Sequence, residues 1–202
     1  MGRLVSLAAL AMSAVATTVA GFMFYSDFWV ETETADMTIQ TEVRAEGLFR
    51  ECIFSATTHR TCDYYDEWVF SSTFPSWILA GRILVFLSIV TGFFATIGLL
   101  LGSDISTMYE SDVSKKKWLK RASSIGIILA ASLLLIQALW TFIKVFRNYN
   151  DVNDLIMTNQ PVGINQKFIP GSATYISLVV SVVWLVFGLL ALFGTKNSAR
   201  RG

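Results

Sequence analysis

Four long runs without a single charged side chain dominate this sequence. Leu4 to Ser26 lies between Arg3 and Asp27, and Ile83 to Ser103 between Arg82 and Asp104. Ala122 to Ile143 lies between Arg121 and Lys144, and Phe168 to Thr195 between Lys167 and Lys196. Each is long enough to cross the hydrocarbon of a bilayer, which takes about 20 residues of helix. Lipid offers no water to backbone N–H and C=O groups, so helix is the expected form of each run. Composition agrees: 53% of residues are hydrophobic and 15% are charged, against ~25% charged in soluble domains. A net charge of +1 gives no bulk attraction to a polyanion, so no nucleic-acid partner is expected. The expected spans are about residues 4–26, 78–103, 120–146 and 168–195, in one domain over 1–202.

The remaining charges orient these spans. Lys115, Lys116, Lys117, Lys120 and Arg121 sit between the second and third runs. Arg3 precedes the first run, and Lys196, Arg200 and Arg201 follow the fourth. The stretch Asp27–Trp77 holds three basic residues (Arg44, Arg50, Arg60) and ten acidic ones. Because Lys and Arg favour the cytoplasmic side, both termini and loop 104–119 are expected inside. Loops 27–77 and 148–167 are then expected outside. A cleaved signal peptide also fits the first run loosely, through Arg3 and the small residues near Val19–Ala20–Gly21. Its length and its Ala, Ser, Thr and Gly content suit a span that packs closely against neighbours. Either reading leaves 27–77 outside.

Within that loop lie both cysteines, Cys52 and Cys62. An oxidising compartment favours a disulfide between them. Free thiols or a metal pair are the alternatives, and His59, the single histidine, does not complete a metal site. Met37, Ile39, Thr41, Val43 and Ala45 alternate with Thr38, Gln40, Glu42, Arg44 and Glu46, the period of a half-buried strand. Val30–Thr34 continues the style upstream, and Gly47 ends it. Asp63–Phe74 mixes aromatics with carboxylates; it reads as a short amphipathic helix near the outer leaflet or as a linker resting there. The fold class is therefore an α-helical membrane protein, a four-transmembrane-helix bundle with an extracellular antiparallel β-sheet. No paired carboxylates, nucleophile–base set or phosphate loop suggests an enzyme, and no cofactor is expected. Arg82, at the edge of its span, is the one ionisable residue near the membrane interior, which argues against a transporter.

Trp29, then Gly47-Leu48-Phe49, then Cys52 and Cys62 resemble the outer-loop signature of the claudin family: Trp, Gly-Leu-Trp and two cysteines. Arg82 near the start of the second span and Trp140 near the end of the third are similar to claudin positions. So is Lys167 followed by Gly171-Ser172-Ala173-Thr174-Tyr175, a Gly-x-Ala-x-Tyr pattern. The resemblance runs from Leu4 to Thr195. Phe49 departs from the usual Trp and lacks the indole N–H. Ala199-Arg200-Arg201-Gly202 does not resemble the Tyr-Val type of C-terminus that binds PDZ scaffolds, so either a PDZ partner is not expected or the sequence stops short of that end.

The resemblance implies a tight-junction protein of the plasma membrane. Copies would polymerise in cis and trans with themselves or other claudins, and would form a paracellular barrier or cation-favouring channel. In some claudins an acidic residue after the second cysteine faces the pore. Asp63 holds that place here, with Asp66, Glu67, Glu51 and Glu46 as further candidates. A solvated acidic loop explains the same charges without a pore. Trp68 and Tyr149 fall near positions of side-by-side contact, where interfacial anchoring is the plainer role. Gly47-Leu48-Phe49-Arg50-x-Cys52 also resembles the channel gamma and receptor auxiliary subunits, a related group whose members bind an ion channel. Membrane lipid is an expected partner on either reading.

Overall fold

The computed structural model describes residues 2–36, 41–55, 60–64, 76–103, 106, 112–157 and 164–198. Its elements in chain order are α1 (Gly2–Phe24), β1 (Val30–Asp36), β2 (Thr41–Glu46), β3 (Arg50–Ser55), β4 (Thr61–Tyr64), α2 (Ser76–Gly102), α3 (Val113–Met157), β5 (Ile164–Pro170) and α4 (Ser172–Ser198). Four helical stretches are long and apolar enough to cross a membrane: Ser6–Phe24, Ile78–Gly102, Val113–Arg147 and Ser172–Phe193.

Helix ends depart from the uncharged runs, two of them for a plain physical reason. Phe168–Pro170, the start of the fourth run, is strand and not helix, because its backbone pairs with β1 from Val30↔Pro170 to Thr32↔Phe168. The helix begins only after Gly171. At the other end, α3 continues through Asn148–Met157, where a loop is expected from the charge pattern. Charge excludes a segment from lipid, but it does not break a helix. No Gly or Pro occurs between Gly126 and Pro161, so nothing in the chain stops the helix where the apolar run stops.

The described chain divides into two compact units, one made of Met1–Phe22, Leu84–Ile136 and Leu178–Gly202, the other of Met23–Ile83 and Gln137–Ser177. The first unit is helical and has small residues inside and large ones outside. Ser6, Ala9, Ser13, Ala16 and Ala20 form the buried face of α1, while Phe22, Phe94 and Phe193 are exposed. A protein folding in water would invert this pattern; helices packing in lipid use it, because small residues let backbones approach. Among the large exceptions, Leu99, Ile127, Leu134 and Trp184, the largest is Trp184, fully buried on α4. Its indole N–H donates to Ser13 Oγ on α1 at 3.2 Å, and Ser13 lies 2.7 Å from Thr96 Oγ1 on α2. Thr96 in turn donates to the Gly92 carbonyl at 2.7 Å. Each hydroxyl thus has one proton to give and gives it once. Gly92 makes room for this: a Cβ there would come within 2.6 Å of the Trp184 ring.

The second unit contains the sheet. Its strands run in the order β4-β3-β2-β1-β5, each pair antiparallel. The Thr41–Glu46 part of the expected alternation lies in β2 as expected, whereas Met37–Gln40 lie outside the described residues. Asp63 and Tyr64 close β4 instead of opening a helix; residues 65–75 lie outside the described residues.

Candidate functional site

Trp29 fastens the sheet at its root. Its ring is fully buried, and its indole N–H donates to the Met23 carbonyl at 2.9 Å. Its backbone N–H donates to the Glu46 carbonyl at 3.2 Å, joining β1 to β2. Its carbonyl accepts twice, from Gly171 N at 3.0 Å and from Thr174 Oγ1 at 2.7 Å. Ala173 N donates to the Phe28 carbonyl at 2.9 Å. The first N–H groups of a helix have no partner within the helix, so the chain before β1 caps α4.

The turn Gly47–Arg50 sits beside this root. Gly47 N donates to the Arg50 carbonyl at 2.9 Å, and a Cβ on Gly47 would come within 2.7 Å of the Ser26 carbonyl and 2.9 Å of Asp27 Cα. Only glycine fits so close to that backbone. Leu48 is buried, and its carbonyl accepts from Arg82 Nε at 2.7 Å. The Arg82 guanidinium lies 5.0 Å from the Phe49 ring centroid. Phe49 stacks on Tyr25 at 5.5 Å and meets Phe24 edge-on at 4.8 Å. The geometry therefore explains why a phenylalanine serves at this position: the ring faces a cation, stacks on Tyr25 and meets Phe24 at right angles, and none of these contacts needs an indole N–H. Trp29, Gly47, Leu48, Phe49 and Arg82 together tie the sheet to its own helical segments.

A second knot was not legible in the sequence. Asp27 counts there as one of ten outer-loop acids, yet it is buried, with 4% of its side chain exposed. It accepts from Arg50 Nε and from Arg50 Nη2 at 2.7 Å, a two-pronged pairing, and from Arg60 Nη2 at 2.7 Å. The Asp27 bonds raise the Arg50 guanidinium further above its ordinary value, with burial opposing and the 3.1 Å bond to Tyr64 Oη adding, so Arg50 stays charged. Arg60 also donates from Nε to Cys62 Sγ at 3.2 Å. Cys52 and Cys62 are bonded to each other and directly opposed on β3 and β4. The disulfide and the carboxylate thus hold the short edge strand β4 to the sheet.

Strand register brings together three of the acidic candidates. Glu46 pairs with Glu51, and Glu51 pairs with Asp63. Directly opposed residues share a face, so three carboxylates form one row across β2, β3 and β4. Like charges placed so repel. Two are offset: Glu51 by Arg44 Nε at 2.6 Å, and Glu46 by Lys144 Nζ at 3.5 Å from α3. Asp63 is exposed and makes no ion pair among the described residues. Asp66, Glu67 and Trp68 lie outside the described residues, and Tyr149 is placed only by its backbone, on α3. Among the described residues no group of three His, Cys, Asp or Glu could hold a metal ion.

No family model matches the chain. Curated relatives do. Claudin-3 of Canis lupus familiaris is 24% identical over 152 residues, 75% of this chain and 64% of the relative. Claudin-6 of Homo sapiens is 26% identical over 156 residues, 77% of this chain and 63% of the relative. Claudin-7 of Mus musculus is 25% identical over 155 residues, 77% of this chain and 68% of the relative. The chain thus spans a little under two thirds of the length of the dog and human relatives. The chain is thus similar to claudins over about three quarters of its sequence, and four helices of membrane-crossing length and a disulfide-linked antiparallel sheet accord with that similarity.

Proposed function

We propose that this protein is a junction-forming claudin whose sheet faces the extracellular space and whose copies polymerise in cis and trans into tight-junction strands. The termini and the basic loop are cytoplasmic on this reading, in accord with the excess of Lys and Arg there. Among the described residues the sheet ends in the edge strands β4 and β5, whose outer backbone groups are offered to a neighbouring copy on this reading. The observation that carries the finer claim is the carboxylate row. Glu46 and Glu51 are offset by cations, and Asp63, at the edge strand, is exposed with no cation paired to it among the described residues. A paracellular path walled by such edges attracts cations and repels anions. Asp63 is the residue assigned to that selectivity.

The experiment is expression in cells that lack junctions, with freeze-fracture imaging and dilution potentials across monolayers. Strands and a cation preference that falls in Asp63→Asn support the reading. Unchanged cation/anion permeability in Asp63→Asn removes Asp63 from the mechanism. Co-purification with an ion channel in the absence of strands assigns the protein to the auxiliary-subunit group instead.

A further inference from the structure

The basic segment at the start of α3 contains five cations, and they are not equivalent. Lys115 pairs with Asp112 at 2.9 Å, and Lys116 donates to the Ser106 carbonyl at 3.0 Å. The backbone of Lys120 lies against Gly102, where a Cβ would come within 2.9 Å of it. Lys117 and Arg121 are exposed and make no ion pair among the described residues. They stand four residues apart, one above the other on a helix face, with Trp118 between them. Trp118 is 70% exposed.

That face continues into lipid-type surface. Ile125, Leu129 and Ile136 follow Arg121 at helical spacing and are exposed, while Ser123, Ser124, Ile127, Ala130, Ala131 and Leu134 on the other side of the helix are buried. The outward stripe of α3 therefore changes from apolar to cationic at Arg121, and its tryptophan lies one turn beyond. At a membrane–water interface hydrocarbon contacts give way to a headgroup level where cations and amphipathic rings stand together.

We propose that Lys117, Trp118 and Arg121 form a binding site for the headgroup of an anionic phospholipid. The ring stands at headgroup level between the two cations, one turn outside Arg121, and the cations bracket the phosphate. The occupant is a lipid of the flanking leaflet and not a soluble phosphate, because the site is continuous with the exposed apolar stripe. The proposal rests on reading α3 as a membrane span, but not on strand formation or on which side the loop faces.

The test uses the full chain in nanodiscs of phosphatidylcholine doped with spin-labelled phosphatidylserine or spin-labelled phosphatidylcholine. The motionally restricted fraction of each label reads lipid contact. The wild type is expected to restrict phosphatidylserine over phosphatidylcholine, by roughly 30-fold at low salt, the size two cations near an anionic surface supply. The Lys117→Gln/Arg121→Gln variant is expected to lose the preference, and Lys115→Gln/Lys116→Gln, with the same change in charge, to keep most of it. An equal preference in the wild type and Lys117→Gln/Arg121→Gln would overturn the proposal. Equal losses in the two double variants would overturn it too, because loop charge alone would then explain the binding. Displacement of the label by millimolar inorganic phosphate would reassign the site to a soluble anion. Strands seen or not seen by freeze-fracture bear on none of these outcomes, so failure here is separable from failure of the junction reading.

Discussion

Thr174 on α4 donates its hydroxyl proton to the carbonyl of Trp29, 145 residues earlier in the chain, at 2.7 Å. Both residues are fully buried, so the bond has no water to replace it. Thr174→Val keeps the shape and removes the donor, and is expected to cost about 1–2 kcal/mol. Thr174→Ser keeps the donor and is expected to cost less. Thermal unfolding of the purified protein in detergent ranks the two; an equal loss for both would mean that the methyl and not the hydroxyl matters.

Asp27 holds two guanidiniums while itself buried. Asp27→Asn is expected to cost about 2 kcal/mol, at the low end for a broken buried pair because both arginines keep a path to water. Arg50→Gln is expected to cost more than Arg60→Gln, since Arg50 makes two bonds to the carboxylate and is the less exposed of the two. The order of the three variants in denaturant or heat checks this; Arg60→Gln proving the worst would contradict it.

The Cys52–Cys62 bond closes a loop with a sequence separation of 10. Loop-closure entropy for that length gives about 3 kcal/mol of stabilisation. Cys52→Ser and Cys62→Ser are each expected to lose that much. Hydrogen exchange should show the loss concentrated in β3 and β4, with the helical unit protected as before. Uniform loss of protection would mean that the sheet and the helices unfold as one.

Asp112 caps α3, accepting from Lys115 N at 3.1 Å. The side-chain hydrogen bond from Lys115, and then its backbone N–H, hold the carboxyl below its ordinary value. A depressed carboxylate contributes to stability above its unfolded pKa and loses that contribution as pH falls through the folded value. The Lys115 amide is therefore expected to stay protected from exchange at neutral pH and to open only below about pH 4. In Asp112→Ala it should be open at every pH. Protection that fell away near pH 6 would point to another group.

The helices were legible because lipid imposes a rule that a bare sequence displays: a charged residue rarely interrupts a span. Where that rule is silent, the reading failed. Charge at Lys144 and beyond ended the apolar run but not α3, and Phe168–Pro170 is apolar for the sheet and not for the bilayer. The alternation through Val43 and Ala45 showed a strand, yet strand partners depend on register, which a single strand does not encode. The row of Glu46, Glu51 and Asp63 became visible only when β2, β3 and β4 were laid side by side. Asp27 escaped for a related reason. Its partners lie 23 and 33 residues away, and nothing local to a lone aspartate beside a span marks it as buried.

The account depends most on the sheet and the basic loop lying on opposite sides of one bilayer. The direct measurement is labelling of intact cells with a membrane-impermeant maleimide, using Asp63→Cys and Lys115→Cys in otherwise native chains whose own cysteines are bonded to each other. The account expects Asp63→Cys to label in intact cells and Lys115→Cys to label only after permeabilisation. Labelling of both without permeabilisation, or of Lys115→Cys alone, would contradict it.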